Sequence, residues 1–241
     1  MFEAVQLVFD CVDPDEVFVF WAPALRYQHE LLGKTVPELH EWRVGYPQYD
    51  GRGRIDDEEG RRMRVYMQRV PEPKAVVNRL RPEIAVSAAT HDSYVEELRS
   101  LGGDVDRDRE GNELTVVERD DVEEVALRSI VFDAVDPERQ LAFWSAATGY
   151  ASSPASLRCD PPPGMWGGAF DLVPGLAFVE ESQPKTMKNR LHLDLQTDGV
   201  ASEEQRDRVV ALGATVVQWG TPEMPGDRVL VDPEGNEFCL G

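Results

Sequence analysis

Cysteine is scarce in this 241-residue chain: it has only Cys11, Cys159 and Cys239, and no two stand in Cys-x-x-Cys spacing. A disulfide framework is thereby excluded, and a reducing compartment is expected. Long apolar runs are absent too. No stretch reaches the 18 or so residues that a membrane-spanning helix needs, and the amino terminus MFEAVQLVFD lacks the basic segment and apolar core of a secretory leader. These absences predict a soluble, cytoplasmic protein. Basic residues are outnumbered, with 25 Lys and Arg against 45 Asp and Glu, for a net charge of −20. The excess is spread evenly, because residues 1–120 carry 16 basic and 25 acidic groups and the remainder carries 9 and 20. Such a surface repels phosphate backbones and anionic lipid, which excludes nucleic acid and membranes as partners; it steers cationic ligands or serves solubility alone.

What is present is a repeat. VFDCVDPDEVFVFW, from Val8 to Trp21, matches VFDAVDPERQLAFW, from Val131 to Trp144, at 8 of 14 positions. PKAVVNRL, from Pro73 to Leu80, is a weaker copy of PKTMKNRL, from Pro184 to Leu191. The chain is therefore two tandem units, residues 1–118 and 126–241, with 119–125 as a charged linker. Unit one holds 12 extra residues between its Trp and its Pro-Lys, since 52 positions separate Trp21 from Pro73 and 40 separate Trp144 from Pro184. They are placed in a polar loop, Tyr46 to Glu59. Near its end unit one is shorter: Leu101 to Glu110 spans 9 positions against 22 from Leu212 to Glu234, which predicts the loss of about one strand near Asp104 to Arg109.

Within each unit the periodicity switches between 2 and 3.6. In unit one an alternating strand precedes Asp13–Pro14, a cap followed by a proline at the first helical position. Pro23 inside the helix removes a hydrogen bond and is expected to kink or split it. Unit two repeats the plan: strand, Asp136–Pro137, helix to Gly149, strands, the central strand Leu191 to Gln196, a helix from Ser202 to Gly213, and closing strands around Asp232–Pro233–Glu234–Gly235, which fits a type I turn. Both units read as two βαβββ modules.

This pattern, carried by Asp133, Asp136–Pro137, Phe143–Trp144, Asn189–Arg190–Leu191–His192–Leu193–Asp194–Leu195 and Asp232–Pro233–Glu234–Gly235–Asn236–Glu237, resembles the glyoxalase-like branch of the vicinal oxygen chelate superfamily, with its glyoxalase, bleomycin-resistance and dioxygenase relatives. The resemblance implies an α+β fold of tandem glyoxalase-like domains, each a curled mixed sheet forming an open cup with helices outside. It also implies a divalent metal held by His or Glu from several strands, with open positions for two vicinal oxygens of a substrate. His192 stands at one apparent ligand position. Counting back from Asp136 puts the first-strand position on Ser129, and the last-strand position, usually Glu, falls on Cys239. Serine is a poor ligand, and one His with one Cys does not complete a site. The sequence therefore predicts no tightly bound catalytic metal, with a divalent metal as the alternative.

The expected function is small-molecule binding in the cup of residues 126–241, with a metal-dependent lyase, isomerase or dioxygenase as the alternative. The pocket set is His192, Asp194 and Gln196 on one strand, Ser129 and Asp133 on another, with Glu180 and Cys239. Asp133 and Asp194 entering one concavity predict a neutral or cationic ligand. Cys239 has no base identifiable in the sequence and is expected to be inert. Unit one, with Arg81 where unit two has His192, is expected to be degenerate as a site. Small-molecule ligand apart, the chain is expected to stand as a monomer with an internal pseudo-dimer, or as a homodimer.

Overall fold

The structure is a computed structural model; it describes residues 4–27, 53–55, 63–162, 173–196, 202–218 and 228–241. Unit one contains β1 (Ala4–Cys11), α1 (Pro14–Ala24), β2 (Gly53–Ile55), β3 (Val65–Arg69), β4 (Leu80–Val86), α2 (His91–Ser100) and β5 (Thr115–Glu118). Unit two contains β6 (Ala126–Ala134), α3 (Pro137–Thr148), β7 (Ala151–Ser153), a 3-10 turn over Pro154–Ser156, β8 (Arg158–Asp160), β9 (Gly175–Glu180), β10 (Leu191–Gln196), α4 (Ser202–Ala211), β11 (Thr215–Gln218), β12 (Val229–Val231) and β13 (Glu237–Leu240). The α+β class and the tandem copies are as expected. No helix among the described residues is long and apolar enough to cross a membrane.

Local signals act as the chemistry of the chain requires. Asp13 accepts from the Asp15 N–H at the start of α1, and Asp136 accepts from the Arg139 N–H at the start of α3. Pro23 does not split α1. It lies in the last turn, and the helix ends one residue later at Ala24, whereas α3 runs to Thr148 and stops at Gly149 in the left-handed conformation. Most of the polar loop from Tyr46 to Glu59 lies outside the described residues, but Gly53–Ile55 within it is a strand paired with β3. After α3 the chain forms a hairpin, β7 with β8, turned by Leu157 at φ 49°.

Unit one has lost more than a single strand. β11 has no counterpart there, and β12 survives only as the isolated bridge Arg107 to Glu113, the repeat equivalent of the Val231 to Glu237 pair.

The modules pair crosswise between the units. β1 lies antiparallel to β10 and β4 antiparallel to β6. One sheet has seven strands in the order β11-β12-β13-β10-β1-β3-β2, and the other has six in the order β5-β4-β6-β9-β8-β7. Each sheet thus takes one module from each unit, where the tandem reading had residues 1–118 and 126–241 each close on their own sheet. The two sheets are tied to one another at the repeated Asn-Arg-Leu, where β4 and β10 begin. Asn189 Oδ1 accepts from the Arg79 N–H at 3.1 Å, and Asn78 Oδ1 accepts from the Arg190 N–H at 2.9 Å. Each asparagine thereby holds the strand that begins beside the other. The exchange is continued by backbone bonds, Asp10 N–H to Arg190 O at 2.7 Å and Asp133 N–H to Arg79 O at 2.8 Å.

The helix-covered face of each sheet forms the core. Leu191, Leu193 and Leu195 pack there with Leu7, Phe9 and Phe238, all buried. Phe9 meets Trp21 at 4.8 Å between centroids, and its repeat equivalent Phe132 meets Trp144 at 5.2 Å. Both tryptophans are fully buried, as core rather than ligand platform.

Candidate functional site

Strand alternation leaves the polar side chains on the face opposite the helices. On the seven-stranded sheet, register places Gln6 beside Asp194, Val8 beside His192 and Asp194 beside Cys239, while Val8 and Asp10 stand beside Tyr66 and Gln68. One ligand atom from each of His192, Asp194 and Cys239 lies within 4.8 Å of the others. His192 Nε2 is 3.4 Å from Asp194 Oδ1, and Nδ1 is 3.8 Å from Asp10 Oδ1. Asp10 is fully buried and lies in an ion pair with Lys188 Nζ at 2.5 Å. Even so, neither Asp10 oxygen accepts an aligned hydrogen bond, nor does Asp194 Oδ1, and the Nε and Nη2 groups of buried Arg190 donate none. Arg190 Nη1 donates to the Glu72 carbonyl at 2.6 Å.

Burial alone would push the His192 imidazole down. The neighbouring Asp194 and Cys239 favour its cationic form and raise it well above the usual histidine value. Burial raises the Cys239 thiol, and His192 pulls it partly back. The structure therefore supplies a partner for Cys239 that no sequence spacing disclosed.

The remaining pocket candidates lie elsewhere. Ser129 and Asp133 sit on β6, in the six-stranded sheet, and are not brought together with His192, Asp194, Gln196 and Cys239. Ser129 donates to Glu83 at 3.0 Å, and Asp133 accepts from Arg81 at 2.6 Å. Glu180 is paired with Ala134 at the end of β9, on the parity of Leu176 and Phe178, and its exposed side chain is on the helix-covered side of the strand. Two carboxylates do share the His192 face, but the second is Asp10. Asp10 and Gln6 are the repeat equivalents of Asp133 and Ser129; they were missed because each unit was taken to close on itself.

The two faces are related position by position through the repeat. Arg81 stands for His192, Glu83 for Asp194, Thr115 for Cys239 and Asp133 for Asp10. On the six-stranded sheet the set is satisfied internally, with Arg81 donating to Asp133 and, at 3.2 Å, to Thr115. Arg158 Nη1 lies 3.8 Å from Glu83. A guanidinium occupies the position that an imidazole occupies on the other sheet.

Several divalent cations accept the donors His192, Asp194 and Cys239. A tetrahedral ion with bonds of about 2.0–2.3 Å holds ligand atoms about 3.5 Å apart. The nitrogen, oxygen and sulfur donors fit such an ion.

Comparison with known proteins places this geometry. The sequence profile of the glyoxalase-like domain family matches residues 6–122 and again residues 129–241. No functionally curated protein matches the chain. Among solved structures, glyoxalase I from Zea mays superposes with a TM-score of 0.61 at 15% identity, covering 98% of this chain and 92% of that one. A putative dioxygenase from Bacillus subtilis superposes with a TM-score of 0.59 at 11% identity, covering 99% and 84%. At these identities the likeness is one of fold. The chain belongs to the glyoxalase-like domain family, within the vicinal oxygen chelate superfamily.

Proposed function

We propose that the chain binds a small molecule over the polar face of the seven-stranded sheet, at His192, Asp194, Gln196 and Cys239, with Gln6 and Asp10 contributed by the other unit. The observation that carries this reading is the contrast between the two faces. On the six-stranded sheet Arg81 and Asp133 satisfy one another by a hydrogen bond, whereas on the seven-stranded sheet the Asp194 Oδ1 and the Arg190 Nε and Nη2 are buried without one, the opposite charges of His192 Nε2 and Glu110 Oε2 standing off at 3.4 and 3.8 Å from Oδ1 and Nη2. Unpaired buried polar groups cost about 1–3 kcal/mol each, so a ligand or solvent that pairs them recovers that cost. The net charge of −20 disfavours a multiply charged anion and leaves a neutral or cationic ligand as the expectation.

A thermal-shift screen of cationic, neutral and anionic compounds tests the reading. Neutral or cationic compounds should raise the melting temperature of wild type and lose that effect in Asp194→Asn. The same compounds should act unchanged on Asp133→Asn. Stabilisation that follows Asp133 and ignores Asp194 would move the site to the other sheet.

A second reading, a metal-dependent lyase, isomerase or dioxygenase, is favoured by the cluster of His192, Asp194 and Cys239 donors. A bound divalent ion would supply Lewis-acid polarisation of substrate oxygens. The chain's own contribution is to orient His192 from behind through Asp10 and to hold the substrate against Gln6 and Gln196. Metal analysis of protein purified without chelator separates the two readings.

A further inference from the structure

We infer that the outer edge of β5 is a docking edge for an extended, basic segment of a partner protein, which joins the six-stranded sheet as an added antiparallel strand. The inference is independent of the small-molecule reading, because β5 and the His192 face belong to different sheets.

β5 is the last strand of its sheet and pairs only with β4, in parallel. The Leu114 N–H turns away from β4 and donates to the Asp106 carbonyl at 2.9 Å, while the Arg119 N–H turns towards β4 and donates to the Val86 carbonyl at 2.8 Å. Alternation then directs the backbone groups of Thr115 and Val117 towards β4 and those of Val116 and Glu118 outward. Among the described residues no backbone group meets those of Val116 and Glu118. Open edges are ordinarily blunted by proline, lysine or a bulge. Thr115–Val116–Val117 carries none of these, and its β-branched side chains suit a strand.

The twin sheet shows what fits such an edge. At the repeat equivalent of Val116, Leu240 donates its N–H to the Arg228 carbonyl at 3.0 Å, and β12 lies antiparallel to β13 along the same side. In unit one that strand is reduced to the Arg107 to Glu113 bridge. The six-stranded sheet therefore ends where the seven-stranded sheet continues, and leaves a place for one more antiparallel strand.

Charge selects the occupant. Residues 104–124 hold ten acidic and three basic side chains. At the exposed end of β5, Glu118, Asp120, Asp121, Glu123 and Glu124 follow in close order, and the one basic residue among them, Arg119, is paired with Asp121 at 3.1 Å. A second copy, with its own net charge of −20, is repelled from this edge, whereas a strand carrying Lys or Arg is drawn to it. Main-chain bonds to Val116 and Glu118 supply the affinity and the acidic flank the choice of partner, which is how strands add to open sheet edges.

Two synthetic peptides test this on the full chain, a basic one of alternating Lys and Val and the same peptide with Glu for Lys. Fluorescence anisotropy at low ionic strength should show the basic peptide binding at least about tenfold tighter than the acidic one, and weakening as salt screens the flank. Hydrogen exchange read by 15N amide spectra should find the Val116 and Glu118 amides unprotected in the protein alone and protected with the basic peptide, while Thr115 and Val117 stay protected throughout. A fully N-methylated basic peptide, which keeps its charge and loses its main-chain donors, should not bind. The combined reversal Glu118→Lys, Asp120→Lys, Asp121→Lys should transfer binding to the acidic peptide, with a melting curve establishing that the variant is folded. No binding of the basic peptide to the wild type overturns the inference. Binding that leaves Val116 and Glu118 unprotected, or that survives N-methylation, is charge attraction without strand addition and also overturns it. Protection of those two amides in the protein alone, rising with its concentration, would give the edge to a second copy and reject the basic partner.

Discussion

Two buried carboxylates, Asp108 and Asp232, show how single residues hold the repeat in shape. Asp232 accepts from the Glu234 N–H, the Asn236 N–H, the Asn236 amide and the Trp144 indole, at 2.8 to 3.1 Å. Asp108 makes the same four bonds with Glu110, Asn112 and Trp21. Burial pushes both carboxyl groups up, against the pull of those hydrogen bonds. The glutamate two residues on completes the corner: Glu234 accepts from the Val135 and Asp136 N–H groups, and Glu110 from those of Val12 and Asp13. Asp232→Ala would strand buried donors in one stroke. It should lower stability by about 3 kcal/mol, read by urea denaturation, with Asp108→Ala doing the same in unit one. Thiol chemistry gives a second prediction at this scale. Cys11 and Cys159 are fully buried, and burial pushes the Cys159 thiol up to about 12 and Cys11 further. A disulfide reagent should therefore modify Cys239 first in the native protein and reach the other two only on unfolding.

At the scale of elements, most of the architecture was legible and the pairing was not. α3 is announced by Asp136–Pro137 at its start and Gly149 at its end, and β10 by strict alternation from Leu191 to Gln196. These are local signals, written in residues that act on their own backbone. Which module lies beside β10 is a matter instead of ladder pairing with β1, more than a hundred residues away, while the exchanged bonds of Asn78 and Asn189 tie the two sheets together. Nothing in the spacing of Asn-Arg-Leu says whether the asparagine turns to its own unit or to the other. The site inherits that ambiguity: alternation points to His192, Asp194 and Gln196 and the family resemblance to Cys239, whereas Gln6 and Asp10 are represented by their copies Ser129 and Asp133. Replacing Asn78 and Asn189 together with Ala should weaken the junction between the starts of β4 and β10. The expected result is a fall of about 2–4 kcal/mol, with hydrogen exchange accelerated first in those strands. Exchange confined to one unit would argue that the two units are stabilised separately.

For the whole molecule, crosswise pairing makes the proposed binding face a joint product of the chain's two halves. The first module of unit one supplies Gln6 and Asp10, and the second module of unit two supplies His192, Asp194, Gln196 and Cys239. The other pair of modules builds the companion sheet, whose face is closed by Arg81, Asp133, Glu83 and Arg158. On the proposed reading, β1 of unit one completes the face by setting Gln6 and Asp10 beside β10. Its lost β11 counterpart and its β12 remnant, the Arg107 to Glu113 bridge, both fall on the companion sheet, so the shortening spares the face that carries His192. The most direct measurement is a map of backbone amide chemical shifts in the 15N-labelled protein, with and without the most stabilising compound from the screen. The composite face predicts perturbations in residues 4–11, 191–196 and 237–240 together, with 126–134 unmoved. Perturbation of 126–134 along with 191–196, leaving 4–11 untouched, would contradict it.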